Sequence, residues 1–235
     1  MKFYYSFIFL AFLSSQSVFA SDTTYRRSPW QMAISFGLSS NRANGSMADF
    51  TQTYNHEFNI RDAEQKDGGG FLFNVTVQRE FANYFYVKSG LGLIQKNVNP
   101  EEKSYPLYKD SLNTGYIFIP VLIGARTALN PKKTIGVFFE TGVAGNFKIL
   151  DKSYCGPDRV AFKINPFVLS FQASGGFNFA LGDKANLILQ YTYSADLTNA
   201  YMETLYLGAT NLTYYVGNYK WLTNSLSLGI QWPLP

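Results

Sequence analysis

Seven stretches of this chain alternate apolar residues with small or polar residues at a period of two, and an eighth shows the pattern less completely. Residues 135–149 show it best, with Val137, Phe139, Thr141, Val143, Gly145, Phe147 and Ile149 on one face. The connections between the stretches run alternately long and short. Since successive side chains of a strand point to opposite faces, the pattern predicts an all-β, antiparallel up-and-down barrel whose apolar face points outward.

The pattern predicts eight strands, at 30–38, 70–80, 84–96, 114–128, 135–149, 166–181, 187–194 and 225–232. Long polar loops at 39–69, 97–113, 150–165 and 196–223 would lie at one end of the barrel, and short turns at the other. Pro120 interrupts the fourth strand. Because proline cannot donate to a strand ladder, we predict a bulge there.

The first twenty residues have the features of an export signal. Lys2 precedes a short apolar run at 3–13, and residues 18–20 match the small-x-small pattern that signal peptidase cuts. The run is shorter than the roughly 20 apolar residues of a membrane-spanning helix. We therefore expect residues 1–20 to be a signal peptide and residues 21–235 to form one barrel domain.

Composition distinguishes two kinds of eight-stranded barrel. A soluble, lipocalin-like barrel points its apolar face inward and has a charged outer face. In this chain charged residues make up 15% against a norm of about 25%, aromatics make up 17%, and the non-apolar face holds mainly Ser, Thr, Gln, Asn, Gly and Ala. This favours a transmembrane barrel of the bacterial outer membrane, with extracellular loops and periplasmic turns. The formal charge of +4 is too small to favour nucleic-acid binding.

Four charged residues are expected to face the lumen, namely Lys88, Arg126, Glu140 and Lys148. If the turn between the fourth and fifth strands centres on Lys132, Arg126 and Glu140 are diagonal neighbours and can pair. Such charges can line an ion path. However, the interior of an eight-stranded barrel is only wide enough to be filled by side chains, which favours a structural charge network.

Aromatic residues lie near the ends of several predicted strands, where a membrane barrel carries its interfacial girdles. Those expected at the two membrane interfaces are Trp30, Phe85, Phe147, Phe167, Phe179, Tyr193 and Trp232. The tyrosine-rich last loop contains Tyr201, Tyr206, Tyr214, Tyr215 and Tyr219. These rings are expected either to form an outward binding surface or to lie at the headgroup level.

The residue types present give little support to an enzymatic function. The single histidine, His56, shares the first long loop with Ser46 and Asp49, the residue types of an acyltransferase site. A catalytic triad is defined by geometry, however, and this spacing within a loop does not orient a base. Cys155 is the single cysteine and is expected to be a loop thiol without an internal disulfide. We expect no cofactor and no metal site.

The fourth strand carries a recognisable motif. Residues 116–126 read Tyr-Ile-Phe-Ile-Pro-Val-Leu-Ile-Gly-Ala-Arg, and the chain closes with Ser-Leu-Ser-Leu-Gly-Ile-Gln-Trp at 225–232. Both segments resemble the PorT-like outer-membrane β-barrel family of Bacteroidota. The resemblance implies an outer-membrane barrel and a link to protein secretion.

The sequence thus favours a non-enzymatic outer-membrane barrel with a structural or surface-interaction role carried by its loops. The alternative is a small, porin-like pore or an accessory component of transport or secretion. Expected partners are outer-membrane lipid, the barrel-assembly machinery during biogenesis, and an extracellular or envelope protein.

Overall fold

The computed structural model describes residues 29–47, 68–81, 84–98, 112–129, 134–152, 160–182, 184–207 and 212–234. Its ten strands are β1 (Trp30–Met47), β2 (Gly68–Glu80), β3 (Phe85–Val98), β4 (Leu112–Ala128), β5 (Ile135–Asp151), β6 (Val160–Ile164), β7 (Phe167–Leu181), β8 (Ala185–Asp196), β9 (Tyr201–Leu207) and β10 (Leu212–Pro233). No helix among the described residues is long and apolar enough to cross a membrane.

Eight strands close a barrel in the order β1-β2-β3-β4-β5-β7-β8-β10, and β1 pairs with β10 to complete the circle. All neighbours are antiparallel, which confirms the predicted up-and-down fold. We call the end with the short connections and Trp30 the turn end, and the opposite end the loop end.

The strands β6 and β9 lie in segments predicted as loops, so that part of the prediction is wrong. Each continues a barrel strand: β6 leads into β7 through residues 165–166, and β8 leads into β9 through residues 197–200. The strand β10 runs along both of these strands, since its residues 222–231 pair with β8 and its residues 212–219 pair with β9. Sequence alternation fades in this region because the outward side chains there are polar, as in Arg42, Lys163 and Lys220.

These extensions form a sheet that continues the barrel wall at the loop end. It consists of residues 42–47 of β1, residues 212–220 of β10, and the strands β9 and β6. We call it the loop-end wall. The predicted first and last strands were too short because they omitted their parts of this wall.

The predicted orientation of the two faces is confirmed. Leu38 is 68% exposed and Phe139 52% exposed on the outer surface, whereas Gln31 and Ser227 are each 4% exposed in the lumen. The apolar belt therefore faces outward around the barrel, as a lipid-facing surface requires.

Pro120 does not produce the predicted bulge. The β3–β4 ladder keeps one register on both sides of it, with Ser89 opposite Val121 and Gly92 opposite Phe118. The ladder is interrupted at Pro120 because proline cannot donate a backbone hydrogen bond. An unchanged register keeps the apolar side chains of β4 on the outer face, whereas a shift by one residue would turn them inward.

Three large rings fit into the narrow lumen because each lies over a glycine of the neighbouring strand. The cross-strand pairs are Tyr86 with Gly124, Phe118 with Gly92, and Phe138 with Gly176. In each pair a Cβ atom on the glycine would meet the ring. The glycines thus provide the room in which the inward rings pack.

Candidate functional site

The lumen at the turn end contains a polar cluster around Arg126. Its Nη2 is paired with Glu80 Oε1, and its Nη1 donates to Gln31 Oε1 at 3.1 Å. Gln31 Nε2 donates to Glu80 Oε1 at 2.5 Å, and Gln78 Nε2 donates to Gln31 Oε1 at 3.2 Å. Since side chains of β1, β2 and β4 contribute to it, this cluster joins three strands through the lumen.

The predicted pairing of Arg126 with Glu140 is wrong, although the register behind it is correct. Gly124 is opposite Glu140 and Arg126 is opposite Phe138, which is the register that the expected diagonal pairing requires. Arg126 nevertheless binds Glu80, a carboxylate that the sequence analysis did not assign to the lumen. The parity of β2 places Glu80 on the same face as Gln78 and could have indicated it.

Glu140 is instead bound by two residues of β3. Lys88 Nζ lies 2.5 Å from Glu140 Oε1, and Tyr86 donates its hydroxyl to the same oxygen at 2.7 Å. Lys88 also lies over the Phe138 ring, 5.9 Å from its centroid. Glu140 is 1% exposed, so its charge is neutralised within the lumen rather than by solvent.

A second buried ion pair lies closer to the loop end and was missed by the sequence analysis. Lys96 Nζ lies 3.3 Å from Asp196 Oδ1, and both side chains are almost inaccessible. The same oxygen accepts a hydrogen bond from Ser170 Oγ at 2.8 Å, and Oδ2 accepts the Trp221 backbone N–H at 2.9 Å. Lys96 shares the face of Lys88 in β3, so strand parity was the available signal.

Three buried aromatic rings pack together next to this ion pair. Tyr201 and Tyr219 stack with centroids 4.7 Å apart at 7°, and Trp221 lies 5.7 Å from Tyr201. Their exposures are 5%, 3% and 1%, respectively. We call these three residues the aromatic plug. The prediction that Tyr201 and Tyr219 belong to a loop surface is therefore wrong, and the side chains of Tyr206, Tyr214 and Tyr215 lie outside the described residues.

Two small cavities lie in the lumen among the described residues. One cavity of about 20 Å³ adjoins Lys88, Arg126 and Glu140, and another of about 30 Å³ adjoins Lys96, Asn146 and Thr223. A single water needs about 10–15 Å³. Each cavity can hold one or two waters, so neither provides a path for a solute.

The remaining predicted lumenal cation, Lys148, does not join these clusters. It lies at the loop end, where its Nζ is 3.2 Å from Asp151 Oδ2 and 3.3 Å from the Ile164 carbonyl oxygen. Among the described residues, no group of three or more His, Cys, Asp or Glu side chains could hold a metal ion. Ser46 has no described side chain, and Asp49, His56 and Cys155 lie outside the described residues.

The predicted interfacial aromatics lie on the outer surface near the strand ends. Trp30 and Phe85 are exposed at the turn end, and Phe147, Phe167 and Tyr193 at the loop end. Phe147 and Phe167 face each other across β5 and β7, with centroids 5.0 Å apart. Phe179 and Trp232 are half-buried at the turn end. These positions are consistent with two girdles, and their membrane depth stays a prediction.

Comparison with known proteins supports the barrel assignment. The sequence profile of a family described as the outer membrane protein beta-barrel domain matches residues 14–202. No curated protein sequence matches the chain.

Among solved structures, the outer membrane protein OprG from Pseudomonas aeruginosa is similar in fold, with a TM-score of 0.57 and 9% identity over 88% of this chain and 98% of that chain. AlkL in lipid bilayers has a TM-score of 0.47 and 12% identity, covering 92% and 95%. The outer membrane protease OmpT from Escherichia coli has a TM-score of 0.40 and 11% identity, covering 91% and 99%.

Proposed function

We propose that this chain, which belongs to the outer membrane protein beta-barrel domain family, is a closed, non-conducting scaffold that carries an interaction surface at its loop end. The protein is located in the bacterial outer membrane, with its loop end outside and its turn end in the periplasm. The observation that carries the proposal is the lumen occupied by buried ion pairs and the aromatic plug, beside cavities of about 20 and 30 Å³.

The loop-end wall supports a role in surface contacts. It extends the sheet past the apolar belt, and its strands are joined by antiparallel ladders from β1 through β10 and β9 to β6, with one irregularity between Tyr215 and Gly217. A rigid sheet that reaches beyond the membrane presents side chains at fixed positions, which suits binding to a partner. We infer that an extracellular or envelope protein contacts this wall, and that the chain has no catalytic role.

Other expectations from the sequence belong to the same proposal. Residues 1–20 would direct export, and the barrel-assembly machinery would insert the chain. Residues 116–126, which resemble the PorT-like family, place Tyr116 and Arg126 on the lumenal face of β4. If the resemblance holds, the surface partner belongs to a secretion apparatus.

Purified full-length protein in a planar lipid bilayer is expected to give no stable conductance steps, because three ion pairs and the aromatic plug occupy the lumen. A shift in gel mobility on boiling would verify that the sample is a folded barrel. Reproducible, uniform conductance steps would contradict the scaffold and favour the alternative of a small pore or transport accessory.

The position of the interaction surface can be tested in cells with a photo-crosslinking residue at Asn218, an exposed site on the loop-end wall. The matched control places the same residue at Lys184, an exposed site in a turn-end connection. Discrete protein adducts at Asn218 but not at Lys184 are expected. Adducts confined to Lys184, or none at either site, would refute a loop-end partner.

A further inference from the structure

Two uncharged polar side chains lie next to each other on the outer surface of the barrel. Ser40 of β1 is exposed, and Asn224 of β10 is half-buried. Both point away from the lumen, because the residues before and after them in their strands are buried inside, namely Ser39, Asn41, Thr223 and Ser225. We call Ser40 and Asn224 the donor pair.

The donor pair lies at the loop-end edge of the apolar belt. The nearest outward residues on the belt side are Leu38 of β1 and Leu226 of β10, and both are exposed. Asn224 is eight residues from Trp232 at the turn end. That separation is about 26 Å along the strand and about 20 Å along the membrane normal for a tilted strand. The apolar band of a membrane barrel is roughly 25 Å tall, so the pair lies where hydrocarbon meets the headgroup region.

Tyr191 of β8 fixes the orientation of the Asn224 amide. Its hydroxyl donates to Asn224 Oδ1 at 2.6 Å. The two residues are diagonal neighbours, since Tyr191 is opposite Leu226 in the β8–β10 ladder. The amide oxygen is thus occupied. The amide nitrogen keeps two N–H donors, for which the described residues supply no acceptor.

The second donor lies beside the first. Ser40 and Asn224 are directly opposite in the β1–β10 ladder, which places their Cβ atoms about 5 Å apart. The hydroxyl of Ser40 can donate one hydrogen bond. Two donors at this spacing suit two acceptor oxygens that belong to neighbouring chains of one molecule.

The height of the pair limits which groups can accept these hydrogen bonds. Hydrocarbon has no acceptor, and an unpaired donor there is costly. Acyl chains carry ester or amide carbonyl oxygens at the boundary between hydrocarbon and headgroups. Phosphate groups lie farther out and bind best to cations, whereas the donor pair is neutral. A lipid carbonyl is therefore the acceptor that fits both the height and the charge of the pair.

We propose that Asn224 and Ser40 bind acyl carbonyl groups of an outer-leaflet lipid, and that Tyr191 is the positioning residue for the amide. The lipid is the occupant because the donor pair is continuous with the apolar belt, so its acyl chains lie along Leu38 and Leu226. Tyr193, opposite Asn224, is exposed at the same edge, where amphipathic rings are favoured. The site is separate from the loop-end wall and from any protein partner there.

The test is solid-state nuclear magnetic resonance of the full-length protein in phosphatidylcholine vesicles. Asparagine side-chain amides are labelled with ¹⁵N and the acyl carbonyls of the lipid with ¹³C, so dephasing of the amide signal reports direct contact with a carbonyl. Dephasing is expected for the unmodified protein and should be lost in Asn224→Leu. It should be weaker in Tyr191→Phe, because the amide is then free to rotate.

The matched control is Asn218→Leu, which removes another outward asparagine of β10 nearer the loop end and should leave the dephasing unchanged. A second control uses an ether-linked lipid with the same headgroup and chain length, labelled at the first carbon of each chain. This lipid has no carbonyl and is expected to give no dephasing. A gel shift on boiling verifies that every variant is folded.

Three results would overturn the proposal. Dephasing that persists in Asn224→Leu would place the contact at another asparagine. Equal dephasing by the ester-linked and ether-linked lipids would show proximity without a hydrogen bond to the carbonyl. No dephasing in the unmodified protein would exclude the carbonyl and leave water as the acceptor.

Discussion

Replacing Asp196 with Ala is expected to lower the free energy of unfolding by about 3–5 kcal/mol, the largest loss from a single substitution that removes a charge here. The carboxylate compensates Lys96 and accepts hydrogen bonds from Ser170 Oγ and the Trp221 backbone N–H. Its removal leaves a buried ammonium group and two donors without their acceptor. Denaturant titration of the barrel in lipid vesicles, followed by tryptophan fluorescence, measures the loss.

Two further variants show how much of the lost stability comes from leaving the Lys96 ammonium group unpaired and how much from lost packing. Lys96→Met/Asp196→Ala should recover part of the stability, because it removes the unpaired cation as well. Asp151→Ala serves as the control, since Asp151 is exposed and its pairing with Lys148 contributes at most about 1 kcal/mol. If Asp196→Ala and Asp151→Ala unfold at the same denaturant concentration, the buried pair is not the stabilising element proposed.

Replacing Trp221 with Ala is expected to destabilise the barrel by about 3–5 kcal/mol through the cavity that it leaves. The indole is 1% exposed and packs against Tyr201, whose ring stacks on Tyr219. The same denaturant titration measures the loss, now followed by circular dichroism because a fluorophore has been removed. Trp30→Ala provides a matched control, since Trp30 is 43% exposed at the turn end.

The Trp221 variant also tests how the lumen is closed. Opening the aromatic plug should leave the barrel silent in a planar bilayer, because the Lys88–Glu140 pair and the Arg126 cluster still fill the turn-end half. Conductance steps in this variant would place the whole barrier at the plug. A loss of stability no larger than that of Trp30→Ala would show that the plug is not a packed core.

The lumenal ion pairs and the aromatic plug explain how a barrel with a polar lumen can serve as a rigid scaffold. Each described lumenal carboxylate has a cation partner: Glu80 with Arg126, Glu140 with Lys88, and Asp196 with Lys96. For the buried Glu140 and Asp196, removal of one partner is costly because it leaves an uncompensated charge in the lumen. The loop-end wall is therefore built on strands that are connected through the barrel interior by these ion pairs.

The face that each barrel residue occupies could be predicted from the sequence alone. A period of two leaves only one choice, outward or inward, and the lipid-facing side must be apolar. Phe139 outward and Gln172 inward follow directly from this rule. The same rule fails in β6 and β9, since beyond the membrane neither face is required to be apolar, and alternation no longer marks a strand.

The sequence by itself therefore determined the barrel, the orientation of its faces and the end at which its long connections lie, because these follow from local periodicity and from the cost of unpaired backbone in lipid. Only the tertiary structure decided which charges meet. Arg126 and Glu80 are 46 residues apart in the chain, and Lys96 and Asp196 are 100 apart. Their contacts depend on how closure of the sheet aligns the inner faces of separate strands, which no local pattern encodes.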